Sequence, residues 1–172
     1  MPNYANEQFY KSITTLIQRA ALARSQDFLQ SHNAALAPLD NNLTVSSVLA
    51  NQMVLIQIYG KNMILSLKFQ YNLKDIRFLV ATYLDKPENQ ISQIQIIDLM
   101  KEFANLTSGY IKATLSLSQL DVLCSLPVST RGYHQIFSEY KDLNSLIINE
   151  GFRLNLEKTQ IYLCFSLESP QP

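Results

Sequence analysis

Asp98, Glu102 and Asn105 are the residues whose types and spacing are fit for joint chemistry. They lie in a proline-free segment, roughly Ser92 to Leu117, that reads as one long helix. At ~100° per residue, Glu102 falls about 40° from Asp98, and Asn105 falls about 20° from it. Gly109 and Lys112 continue the same stripe. The opposite face carries Ile96, Met100, Phe103, Thr107, Ile111 and Thr114, with Leu99 and Leu106 on one flank. Such a helix buries one side and wets the other. The stripe has a plain reading, a solvated polar face, and a chemical one. Carboxylates exchange protons or pair with cations, and a carboxamide accepts through its oxygen while donating through its nitrogen. No histidine or metal-ligand cluster accompanies the two acids, which weakens a self-contained acid–base site.

The elements that must position the stripe follow from hydrophobic periodicity. A first helix is expected from about Asn6 to Ser31, with Phe9, Ile13, Leu16, Ile17 and Ala20 at helical spacing, and His32-Asn33 and Pro38 to Asn42 form the loop after it. Leu43 to Leu49 reads as a short edge strand. Met53 to Tyr59 and Met63 to Phe69 read as strands joined by Gly60-Lys61-Asn62, a hairpin connection. A second helix spans Leu73 to Leu84, with Asn72 as N-cap and Asp75 in the first turn. Asp85 to Asn89, containing Pro87, separates it from the stripe helix. Leu120 to Leu126 is a strand that Pro127 ends. Tyr133 to Leu146 has helical spacing at Ile136, Phe137, Tyr140 and Leu143 and reads as an inserted helix. Phe152 to Glu157 and Ile161 to Leu167 alternate and form a closing hairpin through Lys158-Thr159-Gln160. Together these predict an α+β fold, a mainly antiparallel sheet covered by helices.

A chain of 172 residues is expected to form one domain with a real core. Lys plus Arg number 14 and Asp plus Glu 14, so no net charge favours nucleic acid or an anionic membrane. No apolar run approaches a transmembrane length. The N-terminus lacks a charged-then-apolar leader pattern, so a cytoplasmic location is expected. Cys124 and Cys164 sit in strand-like runs and read as buried thiols, because a disulfide framework or metal site needs more ligands at tighter spacing. His32 and His134 have no serine or cysteine placed to make a nucleophilic pair.

Asp98-x3-Glu102-x2-Asn105 on a helix, followed by Gly109, resembles the signature of the CheC/CheX/FliY chemotaxis phosphatases, which dephosphorylate the response regulator CheY. Downstream, Ser125-Leu126-Pro127-Val128-Ser129-Thr130-Arg131-Gly132 resembles the Leu-Pro-x-x-x-x-Gly segment after the active helix of CheX-like chains. The resemblance runs from about Leu43 to Glu168. No second Glu-x-x-Asn occurs, and one motif per chain is the CheX arrangement, in which a homodimer supplies two sites. The resemblance implies one CheX-like domain over residues 1–172, its N-terminal helix about 6–31 and its core about 43–168. It implies a phosphatase acting on the aspartyl phosphate of a CheY-like receiver. The protein would need no cofactor of its own, since the receiver brings Mg²⁺ and a lysine that contacts the phosphate. Asn105 would then position the attacking water, Glu102 would pair with the receiver's lysine, and Asp98 would tether the partner's loop at the rim. A competing reading keeps the fold without catalysis: a docking module for a receiver or a flagellar switch component. A third is an unrelated α+β domain with a coincidental motif. Two departures stand out, Tyr110 where the family has a small polar residue, and the extra material at Tyr133 to Leu146.

Overall fold

A computed structural model describes residues 4–39, 46–131, 134–137, 148–157 and 159–168. The first helix, α1 (Tyr4–Asp27), buries Ile13, Ile17, Ala20 and Ala21 on one face. It stops short of the expected Ser31. Gln30 takes a left-handed φ of 54°, and the Ser31 N–H turns back to donate to the Ser25 carbonyl at 3.0 Å, which closes the helix end.

Strands β1 (Ala35–Pro38), β2 (Ser46–Leu49), β3 (Gln52–Gly60) and β4 (Met63–Tyr71) follow. Helix α2 occupies Leu73–Leu84, as the periodicity predicts. Asn72 is its N-cap residue, but the capping is exchanged: Asn51 Oδ1 accepts from the Leu73 N–H at 3.0 Å, while Asn72 Oδ1 accepts from the Asn51 N–H at 3.2 Å. A single 3₁₀ turn at Glu88–Gln90 leads into α3 (Gln93–Leu117), the stripe helix. The chain then forms β5 (Val122–Cys124), β6 (Val128–Arg131), β7 (His134–Phe137), β8 (Ile148–Leu156) and β9 (Thr159–Glu168).

The strands order as β1-β8-β9-β4-β3-β5 in a seven-stranded sheet, with β6 sharing the β3 border that β5 occupies; every pairing is antiparallel. Alternation supplies the helix-facing side. Val54, Ile56 and Ile58 lie beside Phe69, Leu67 and Leu65, which lie beside Leu163, Phe165 and Leu167. All three helices pack on the sheet, α3 against β3 and β5, and the three share one hydrophobic core with it. Phe103 of α3 meets Phe69 edge-to-face at 5.6 Å between ring centres. The architecture is therefore α+β, helices over an antiparallel sheet.

Two expectations are corrected. The inserted helix over Tyr133 to Leu146 is not formed at its start: His134–Phe137 is the strand β7, paired antiparallel with β2 in a separate two-stranded sheet. A four-residue run with apolar residues at Ile136 and Phe137 fits either period, and pairing decides between them; residues 138–147 lie outside the described residues. The closing hairpin is longer than its strictly alternating part, because β8 begins at Ile148 and passes through Gly151. A Cβ there would stand 2.6 Å from Leu39 Cδ1, so glycine is what lets Leu39 lie against this strand. Of the edge strand expected over Leu43 to Leu49, Ser46–Leu49 forms β2, and residues 43–45 lie outside the described residues.

Candidate functional site

Helix α3 starts on a complete capping box. Ser92 Oγ accepts from the Gln95 N–H at 3.2 Å, and Gln95 Oε1 accepts from the Ser92 N–H at 2.8 Å. This fixes the helix start. Ile96, Met100, Phe103 and Ile111 are fully buried against the sheet. Asp98, Glu102 and Asn105 are consequently turned outward, and all three are exposed, as is Gly109; Lys112 is half-buried. The structure thus brings the three predicted residues into one stripe. Among the described residues, neither the two carboxylates nor the Asn105 carboxamide has a hydrogen-bond or ion-pair partner within the chain.

The two flanks of the stripe differ. On the α1 side, the Arg24 guanidinium lies over the Tyr110 ring at 5.5 Å and pairs with Asp27 at 3.0 Å. Tyr110 therefore serves as a shelf for a cation from α1, a role its sequence position does not disclose. On the β5 side, the half-buried Cys124 Sγ is 3.9 Å from the Ser108 carbonyl oxygen. Burial pushes this thiol up, opposed by its hydrogen bond at Ser108 and the charge of Lys112. Cys164 is fully buried, as expected, and its thiol is raised by burial. Beyond Cys124, the Ser125 N–H donates to the Gln57 carbonyl at 2.8 Å, and Ser125 Oγ accepts from the Gln57 N–H at 2.9 Å. Pro127 follows, between β5 and β6, flanked by the exposed Leu126 and Val128.

Gly109 lies on the stripe one turn after Asn105. Apart from its chain neighbours and its own helix backbone, a Cβ at this position would meet no atom within 4 Å among the described residues, and its backbone is helical. Glycine in an exposed helix interior costs about 1 kcal/mol relative to alanine.

His32 is exposed in the loop after α1, and His134 falls in β7. Among the described residues no group of three or more His, Cys, Asp or Glu is placed to hold a metal ion. No helix among them is long and apolar enough to cross a membrane. Sequence reasoning missed the capping box, although Ser-x-x-Gln before an apolar run is its signature. It also missed Arg24, which no local pattern ties to Tyr110.

No protein-family model matches the chain, and no curated protein matches it. Solved structures do. The chemotaxis protein CheX of Vibrio vulnificus superposes with a TM-score of 0.69 at 12% identity, over 91% of this chain and 99% of its own. A CheC-like superfamily protein of Shewanella sp. PV-4 gives 0.67 at 15% identity, covering 91% and 97%. The CheX–CheY–BeF₃–Mg²⁺ complex of Borrelia burgdorferi gives 0.63 at 13% identity, covering 90% and 96%. The chain has the CheX-like fold.

Proposed function

We propose that this protein is a CheX-like phosphatase that removes the phosphoryl group from the aspartyl phosphate of a CheY-like response regulator in chemotaxis or another two-component pathway. The observation that carries the reading is the stripe itself: an acid, an acid and an amide in helical register, exposed and without a side-chain partner among the described residues, on the long helix of a CheX-like fold. The Borrelia burgdorferi structure, in which a CheX is complexed with CheY, BeF₃ and Mg²⁺, supports a receiver as the partner class.

Hydrolysis adds water to the phosphorus and breaks the bond to the aspartyl oxygen, releasing inorganic phosphate and a free carboxylate. A receiver carries its own Mg²⁺ and lysine, so the missing part is an ordered water in line with that bond. Catalysis by positioning suits phosphoryl transfer. The Asn105 oxygen accepts a hydrogen bond from this water and holds it. Glu102, nearly one turn earlier, pairs with the receiver's lysine and sets the register. Asp98 holds the partner's loop at the rim. The protein needs no metal of its own in this scheme. It acts in the cytoplasm beside its receiver, as a homodimer carrying one stripe per chain.

The test loads candidate receivers with a small phosphodonor in the presence of Mg²⁺ and follows phosphate release. Asn105→Ala returns the rate to the receiver's spontaneous loss while binding is largely kept. Glu102→Ala weakens binding as well as turnover, by about 2–5 kcal/mol, because a partly desolvated ion pair loses one member. Asp98→Ala costs roughly 1 kcal/mol or less, since a rim contact stays solvated. If Asn105→Ala dephosphorylates at the parent rate, a non-catalytic docking module replaces this reading.

A further inference from the structure

Gly109 has no role in the fold that accounts for it. Its backbone is helical, so no left-handed φ calls for glycine, and a Cβ would meet nothing within 4 Å, so no internal packing does either. The neighbouring small residues differ. Ala104 and Ser108 are fully buried, and the Ser108 hydroxyl donates to the Asn105 carbonyl at 2.9 Å. Gly109 is exposed, and it falls about 20° from Asp98 on the helix wheel, between Glu102 and Asn105 in angle and ~6 Å past Asn105 along the axis. Tyr110 and Lys112 project on either side of it. The stripe therefore reads, from its start, acid, acid, amide, bare backbone, ammonium.

We infer that Gly109 determines partner fit: it leaves room for the main chain of the receiver's loop beside the aspartyl phosphate to lie directly on α3. This inference rests on the phosphatase reading. The charge order supports the occupant, because a loop beside a phosphorylated carboxylate offers a lysine toward Asp98 and Glu102 and anionic oxygens toward Lys112. Only with that loop seated on bare backbone does Asn105 come near enough to hold a water in line. A methyl group would stand off the loop, and a larger side chain would displace it.

Gly109→Ala and Gly109→Leu test this, with Ser116→Leu, an exposed position of the same helix two turns on, as the size control. The receiver is one that the parent protein dephosphorylates, and binding is measured with that receiver loaded with beryllofluoride and Mg²⁺. Gly109→Ala raises the melting temperature by about 2–4 °C, as alanine favours the helix. It nonetheless binds several-fold more weakly, and Gly109→Leu binds roughly tenfold more weakly or worse, as overpacking does elsewhere. Phosphate release falls in the same order, and Ser116→Leu matches the parent. If both glycine variants bind and turn over like the parent while Asn105→Ala stays inactive, the inference is wrong and the phosphatase reading survives. A lower melting temperature for Gly109→Ala also overturns it, since glycine would then be serving the fold. If the parent dephosphorylates no receiver, both readings fall together.

Discussion

The sheet-facing side of α3 and its exposed stripe treat polar groups in opposite ways. On the buried side, the Thr107 hydroxyl donates to the Phe103 carbonyl at 2.7 Å and the Ser108 hydroxyl to the Asn105 carbonyl at 2.9 Å. A buried hydroxyl left unpaired would cost about 1–3 kcal/mol, so the fold answers each one internally. On the stripe, the side chains of Asp98, Glu102 and Asn105 have no partner among the described residues, and Gly109 brings no side chain. One side holds the helix on the sheet. The other is presented outward.

Substitutions can sharpen or break that division. The largest effect is expected from Phe103→Ala on the buried side, where the ring is fully enclosed against Phe69. Denaturant unfolding should show a loss of about 3–5 kcal/mol; a loss below ~1 kcal/mol would mean that this side does not hold the helix. Ser92→Ala removes the side-chain half of the capping box and should cost about 0.5–2 kcal/mol, seen as a lower melting temperature with unchanged site chemistry. The smallest effects belong to the stripe. Glu102→Ala and Asn105→Ala should each stay within about 0.5 kcal/mol of the parent in stability, because they remove exposed groups and introduce a good helix former. A loss of more than ~1 kcal/mol at either position would show the stripe serving the fold, and the contrast between the two sides would collapse.

The long periodic elements were legible beforehand. Helix α2 runs from Leu73 to Leu84 as expected, α3 begins one residue later than expected, and the β3–β4 hairpin turns at Lys61-Asn62. The stripe was legible for the same reason: a helix with one apolar face fixes where its polar residues point. What escaped is short or is decided by distant pairing. Strand β6 is only Val-Ser-Thr-Arg, and its burial does not alternate. It is a strand because Gln52 to Leu55 of β3 lie beside it. In β7, Ile136 and Phe137 suit a helix until β2 is placed alongside. The end of α1 was overrun because no proline or glycine stands between Asn6 and Ser31 to mark the stop, although the helix ends at Asp27 and Gln30 turns left-handed. The contact of Tyr110 with Arg24 escaped because Arg24 belongs to another helix.

The border of the sheet at β3 is closed by two short strands with a proline between them, and this bears on how the protein behaves in a crowd. An open strand border with apolar side chains is where chains adhere to one another and grow into fibrils. Leu123, Leu126 and Val128 put such side chains here, 66%, 84% and 56% exposed. An arriving strand nevertheless finds no continuous ladder, because Pro127 has no N–H to offer and the run is interrupted at Leu126. The opposite border is the four-residue β1, which ends in Pro38. Greasy side chains can thus stay at the surface without templating open-ended polymerisation, and anything that recognises this border has to read its side chains rather than its main chain.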